Sequence, residues 1–147
     1  LIIGDGPCHQ ELVEQAACLG IQDMVIFTGA IPNSELPPYY ASCDLYITAS
    51  LSDTNSISML EAMATGLPCI AFEKGAIPEL ITSGREGFLE KDVDAGKLAE
   101  MISQMYEKLC DGSIEAMSRN AVEKARIFDI KVTAHKLHEL YEMEERI

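Results

Sequence analysis

The sequence has 147 residues, 48% of them apolar, and carries 11 basic against 24 acidic side chains for a formal net charge of −13. That length supports one domain with a proper core and is short for two. So acidic a surface excludes the Lys- and Arg-driven binding of nucleic acid or anionic lipid.

In chain order, Leu1-Ile2-Ile3 reads as a buried strand stopped by Gly4-Asp5-Gly6-Pro7. With no basic leader ahead of it, the chain is read as a piece of a longer protein rather than as one that begins with a signal peptide. From Gln10 to Leu19 the apolar positions recur at helical spacing, with Gly20 as the C-cap. Met24–Thr28 is a second strand and Gly29-Ala30-Ile31-Pro32-Asn33 the loop after it. Ser34 is expected to cap a short helix over 35–42, with Pro37 in its first turn. Asp44–Ala49 is a third strand, and the polar loop from Ser50 to Asn55 feeds a helix over 56–65 that Gly66 closes. Pro68–Phe72 is a fourth strand, Ile77–Thr82 a short helix and Gly87–Glu90 a fifth strand. Helices follow over 94–109, 114–127 and 130–145.

Strands alternating with helices across short loops predict an α/β fold, a Rossmann-like parallel sheet with flanking helices, in one domain over 1–147. No apolar run approaches the roughly 18 residues of a membrane span. The five cysteines, Cys8, Cys18, Cys43, Cys69 and Cys110, are odd in number and widely spaced. They read as reduced, buried thiols of a cytoplasmic protein, not as a disulfide framework or a zinc site.

The stretch from Ser50 to Pro68 carries the chemistry. Its loop follows the carboxyl end of a strand, where open parallel sheets bind ligands. It then enters a helix N-terminus, whose unpaired N–H groups and dipole favour a phosphate. Ser56 and Ser58 are small enough to let a phosphate approach the backbone. Glu61 stands one to two turns into the helix between Leu60 and Ala62, where its carboxylate needs donors if it is buried. Ribose hydroxyls would serve; a solvated helix edge is the alternative. His9 beside Cys8 reads as a surface pair, and His135 and His138 lack the partners that would complete a metal site. Met59, Met63, Met101 and Met105 read as core, and Glu139, Glu142, Glu144 and Glu145 as a solvated acidic end.

Several runs then combine into a resemblance that covers almost the whole chain. They are Ile3-Gly4-Asp5-Gly6-Pro7, Val25-Ile26-Phe27-Thr28-Gly29, Tyr40-Ala41-Ser42-Cys43-Asp44, Leu60-Glu61-Ala62-Met63-Ala64-Thr65-Gly66-Leu67-Pro68, Pro78-Glu79-Leu80-Ile81 and Gly87-Phe88-Leu89. Together they resemble the C-terminal, nucleotide-sugar-binding half of GT-B glycosyltransferases of family 4. The nonapeptide ending in Pro68 is the specific piece.

The resemblance implies a retaining hexosyltransferase with a UDP-hexose donor and no metal or other cofactor. It gives Glu61 the ribose, and the amides of Ser56, Ile57 and Ser58, beside Asn55, the distal phosphate. Gly29, Ala30 and Ile31 take the nucleobase, and Lys74 is a donor contact. The family's first glutamate falls on Asp53, one methylene shorter, as the residue that touches the donor sugar; the alternative for Asp53 is a helix N-terminal residue held by the dipole. Ser56 replaces a glycine common in the family. The resemblance also implies a first strand and helix ahead of Leu1, supplying the basic pyrophosphate clamp, and an N-terminal acceptor domain as partner. Unpaired strand edges would favour self-association or modest stability. The protein is expected in the cytoplasm, peripheral at the membrane through that N-terminal domain. A non-catalytic nucleotide-sugar-binding or regulatory module is the alternative function.

Overall fold

In a computed structural model that describes residues 1–144, the chain packs as two compact units, Leu1–Pro38 and Tyr39–Ile147.

In the first unit, helix α1 (His9–Cys18) ends as the sequence predicts. Gly20 takes φ 68°, its N–H donates to Ala17 O at 3.0 Å, and the Ile21 N–H reaches Ala16 O at 3.0 Å. These are the two bonds of a Schellman closure. The two expected strands are shorter than predicted. Leu1–Ile3 and Met24–Thr28 meet only in a parallel bridge between Ile2 and Phe27 and an antiparallel one between Gly4 and Gly29. Gly4, at φ 124°, leaves the extended conformation after three residues, so no longer ladder propagates. Ser34 does not cap a helix. It lies inside a 3-10 turn, Asn33–Glu35, that precedes α2 (Leu36–Ala41), and its hydroxyl makes no capping bond. His9 is not a free surface residue; its ring meets Phe27 edge-on at 5.5 Å between centroids.

The second unit holds the parallel sheet, in the order β1 (Tyr46–Thr48), β2 (Cys69–Phe72), β3 (Gly87–Glu90). Helices α3 (Ile57–Ala64), α4 (Ile77–Leu80), α5 (Ala95–Asp111), α6 (Ile114–Ile127) and α7 (Ile130–Glu144) accompany it. Glu145, the last residue of the expected acidic end, lies outside the described residues. The central strand β2 is buried at all four positions, as a strand covered on both faces requires. Its side chains alternate between two cores. Cys69 and Ala71 join Met59, Met63, Ile77 and Ala121 on one face, while Ile70 joins Met101, Met105, Ile114 and Met117 on the other. The four methionines read from helical spacing are therefore core. Of the cysteines only Cys69 is buried. Cys8, just ahead of α1, Cys18, at its end, and Cys110, on α5, are exposed.

Two local devices start and stop the helices that matter most. Asp94 Oδ1 accepts the Lys97 N–H at 3.0 Å and caps α5. At the end of α3, Gly66 adopts φ 90° and repeats the Schellman closure, with Gly66 N–H on Met63 O at 3.0 Å and Leu67 N–H on Ala62 O at 3.1 Å. The turn aims the chain directly into β2.

Candidate functional site

The site is built at the start of α3. The loop leaving β1 reaches Asp53, whose Oδ1 accepts the Ser56 N–H at 2.6 Å and the Asn55 N–H at 3.2 Å. Asp53 is thus the side chain that ties the loop ahead of the helix; it lies three residues before the N-cap Ser56 and not in the first turn of α3. The Ser56 amide foremost holds its carboxyl below the ordinary carboxylate value. No hydrogen bond within the described residues engages its other oxygen.

Ser56 pays for this tight entrance. It is the one non-glycine residue with positive φ among the described residues (φ 35°, ψ 52°), and its hydroxyl is buried with no hydrogen-bond partner. Its amide is occupied by Asp53, so of the three amides the sequence assigned to a phosphate, only those of Ile57 and Ser58 remain without an acceptor in the described chain. The Ser58 hydroxyl is held at 2.8 Å by the hydroxyl of Tyr46 on β1.

Across the loop, the carboxyl end of β2 runs into Glu73-Lys74-Gly75-Ala76. The Ala76 N–H donates to Asp53 O at 2.9 Å, and Gly75, at φ 57°, passes so close that a Cβ there would collide with the Asp53 carbonyl. Lys74 sits half-buried in this loop and makes no ion pair among the described residues. The two strand-end loops are therefore joined backbone to backbone.

Glu61 projects from α3 on the face that carries Ile57, Leu60 and Ala64, opposite the buried Met59, Ala62 and Met63. It is half-buried, and its Oε2 accepts the Tyr40 hydroxyl at 3.1 Å. A cleft of about 850 Å³ opens along this face, bounded by Asn55, Ile57 and Glu61 on one side and by Arg126, Phe128 and Asp129 at the end of α6 on the other. Sequence reasoning missed Tyr40 as a partner of Glu61, and missed Arg126 altogether. Tyr40 was visible only as part of a motif, and Arg126 carries no local signal. Gly29, Ala30 and Ile31, assigned to a nucleobase, belong to the first unit, where Gly29 takes φ 68° and accepts the Gly4 N–H at 2.9 Å.

His135 and His138 are exposed on α7 and pair with Glu139 and Glu142 at 3.3 and 3.2 Å. Among the described residues no three His, Cys, Asp or Glu side chains gather as a metal site, and no helix is long and apolar enough to cross a membrane.

Comparison with known proteins places the chain in a family. Residues 1–108 match the family described as Glycosyl transferases group 1. The chain is 37% identical over 133 residues to the alpha-monoglucosyldiacylglycerol synthase of Streptococcus pneumoniae, covering 84% of this chain and 30% of that enzyme. Its fold superposes on Anabaena Alr3699/HepE solved with UDP, at a TM-score of 0.84 and 27% identity, covering 96% of this chain and 40% of that one. The same protein solved with UDP-glucose gives 0.81 at 26% identity, with the same coverage of 96% and 40%. The chain spans well under half the length of these relatives.

Proposed function

This chain belongs to the group 1 glycosyl transferases, with the fold of the C-terminal half of a GT-B enzyme, and on that premise we propose that residues 1–147 form its donor domain for a UDP-hexose. The observation that carries the reading is the pairing, on one eight-residue helix, of two free N-terminal amides with a half-buried carboxylate one turn further on.

In this reading the nucleoside lies in the cleft beside α3, with Glu61 accepting the vicinal ribose hydroxyls. The Ile57 and Ser58 amides, at the positive end of the helix dipole, meet the distal phosphate. Charge grows on the leaving pyrophosphate as the glycosidic bond breaks, and fixed N–H groups stabilise it without reorganising. The uncommitted oxygen of Asp53 faces the donor sugar from the same loop, and Lys74 approaches from the β2 end. The acceptor and any general base belong to an N-terminal domain, transfer proceeds with retention, no metal is used, and the enzyme works in the cytoplasm.

Titration of the purified chain with UDP-glucose tests this. Glu61→Ala should weaken binding at least about tenfold, the worth of hydrogen bonds to a charged acceptor. Unchanged affinity would overturn the assignment of Glu61 to the ribose. A second reading, a module that binds nucleotide sugars without transferring them, draws on Asp53, whose short side chain is tied to the helix entrance. Hexosyl transfer by the enzyme containing this chain, lost in Asp53→Ala, decides against that alternative.

A further inference from the structure

We propose that Tyr40 is a positioning residue for the donor site, fixing the Glu61 carboxylate in the orientation that receives the ligand; the inference rests on the reading of Glu61 given above. Three observations carry it. Tyr40, on α2, and Glu61, on α3, are 21 residues apart in the chain, yet the phenol hydroxyl donates to Glu61 Oε2 at 3.1 Å. Tyr40 itself does not line the cleft, whereas Glu61 does, so Tyr40 acts on a ligand through the carboxylate it holds. Glu61 Oε1 receives no hydrogen bond among the described residues.

A glutamate on a helix surface has three rotatable bonds, and ordering it when a ligand arrives costs conformational entropy. A hydroxyl that already holds one oxygen removes part of that cost, which is the general route by which a preorganised site gains affinity. The acceptor arithmetic also works. A carboxylate offers about four lone-pair positions, so one bond from Tyr40 leaves enough for two vicinal hydroxyls. Burial first, and then the neighbouring carboxylate, push the Tyr40 phenol well above its ordinary value. The hydroxyl therefore stays protonated, and a donor, through the neutral range.

The test is a double-mutant cycle in the purified chain, read by calorimetric titration with UDP, with thermal unfolding of each variant as a parallel measurement. Tyr40→Phe keeps the ring and removes only the hydroxyl. It should weaken UDP binding about three- to tenfold in the wild-type background, and leave affinity unchanged in the Glu61→Ala background, because the hydroxyl acts only through that carboxylate. A role confined to packing would instead give the same loss in both backgrounds, accompanied by a lowered unfolding temperature, and would overturn the proposal. Normal UDP affinity in Tyr40→Phe, with Glu61→Ala impaired, would overturn it while leaving the donor site intact. Normal affinity in Glu61→Ala would overturn both.

Discussion

Gly75 and Asp53 lie on neighbouring strand-end loops, 22 positions apart in the chain, and Gly75 sits against the Asp53 carbonyl with no room for a side chain between them. The contact fixes the loop that forms the entrance to α3 from behind. The adjacent Ala76 N–H, bonded to the same carbonyl at 2.9 Å, locks it. The loop that carries Lys74 thus holds the candidate site's entrance through Gly75 and Ala76.

Gly75→Ala should accordingly be among the more damaging small changes in this chain. The left-handed backbone (φ 57°) costs any non-glycine residue about 1–2 kcal/mol, and relief of the clash must then move the Asp53 loop. Gly84→Ala is the control. It shares the positive φ (87°) but has open space around the missing Cβ, so it bears the conformational cost alone. Chemical denaturation should show Gly75→Ala losing clearly more stability than Gly84→Ala, and equal losses would mean that the Asp53 contact contributes nothing.

Ser56 gives a prediction of opposite sign. Its backbone occupies the left-handed region and its hydroxyl is buried without a partner, two costs that glycine avoids. Ser56→Gly should stabilise the chain by about 1–2 kcal/mol, combining relief of backbone strain with removal of an orphaned hydroxyl. The larger unfolded-state entropy of glycine offsets part of this. A rise in the unfolding midpoint checks it; a fall would mean that the hydroxyl has a partner in solution.

These two positions also mark what the sequence can and cannot reveal. Helix ends with local chemistry were legible. Gly20 and Gly66 were read as closures, Met59, Met63, Met101 and Met105 as core, and all behave so, because periodicity and turn chemistry are short-range. The strands of the first unit were overextended in the reading, since an apolar run says nothing of how many partner residues are available to pair. Asp53 was placed in the right loop, but its bond to the Ser56 amide depends on the left-handed turn at Ser56, where glycine is the usual residue. Tyr40 and Arg126 reach the site from other elements, and such long-range approaches leave no local pattern.

Asp53 also carries a pH signature. Its folded-state carboxyl titrates below the ordinary value of 3.8, because the charged form accepts amide N–H bonds. A group depressed in the folded state contributes stability that is present above its unfolded value and lost as pH falls through the folded one. Asp53→Asn keeps a neutral acceptor of the same shape. The wild type should therefore be the more stable of the two at pH 7, with the gap closing as the solution is acidified through pH 3.8 and below. Unfolding curves for both proteins at pH 7, 5 and 3 test it, and a gap that widens on acidification would reverse the sign.

Arg126 bears on the proposed binding of an anionic nucleotide by a chain of net charge −13. Arg126 lines the cleft together with Glu61 and Asp129 and forms no ion pair among the described residues. In a site that is open to water, one such cation contributes about 1 kcal/mol toward a diphosphate at contact distance. Arg126→Ala should therefore weaken UDP binding about fivefold in low salt. The deficit should shrink at about 1 M salt, where the screening length falls to roughly 3 Å. Arg126→Lys retains the charge and should recover most of the affinity. Uridine, which lacks the phosphates, should bind all three proteins alike. Titrations of the three proteins with UDP and with uridine, at low and high salt, separate this electrostatic role from a steric one. An Arg126→Ala deficit that is the same for both ligands, or insensitive to salt, would place the arginine in the cleft wall and not in the phosphate field.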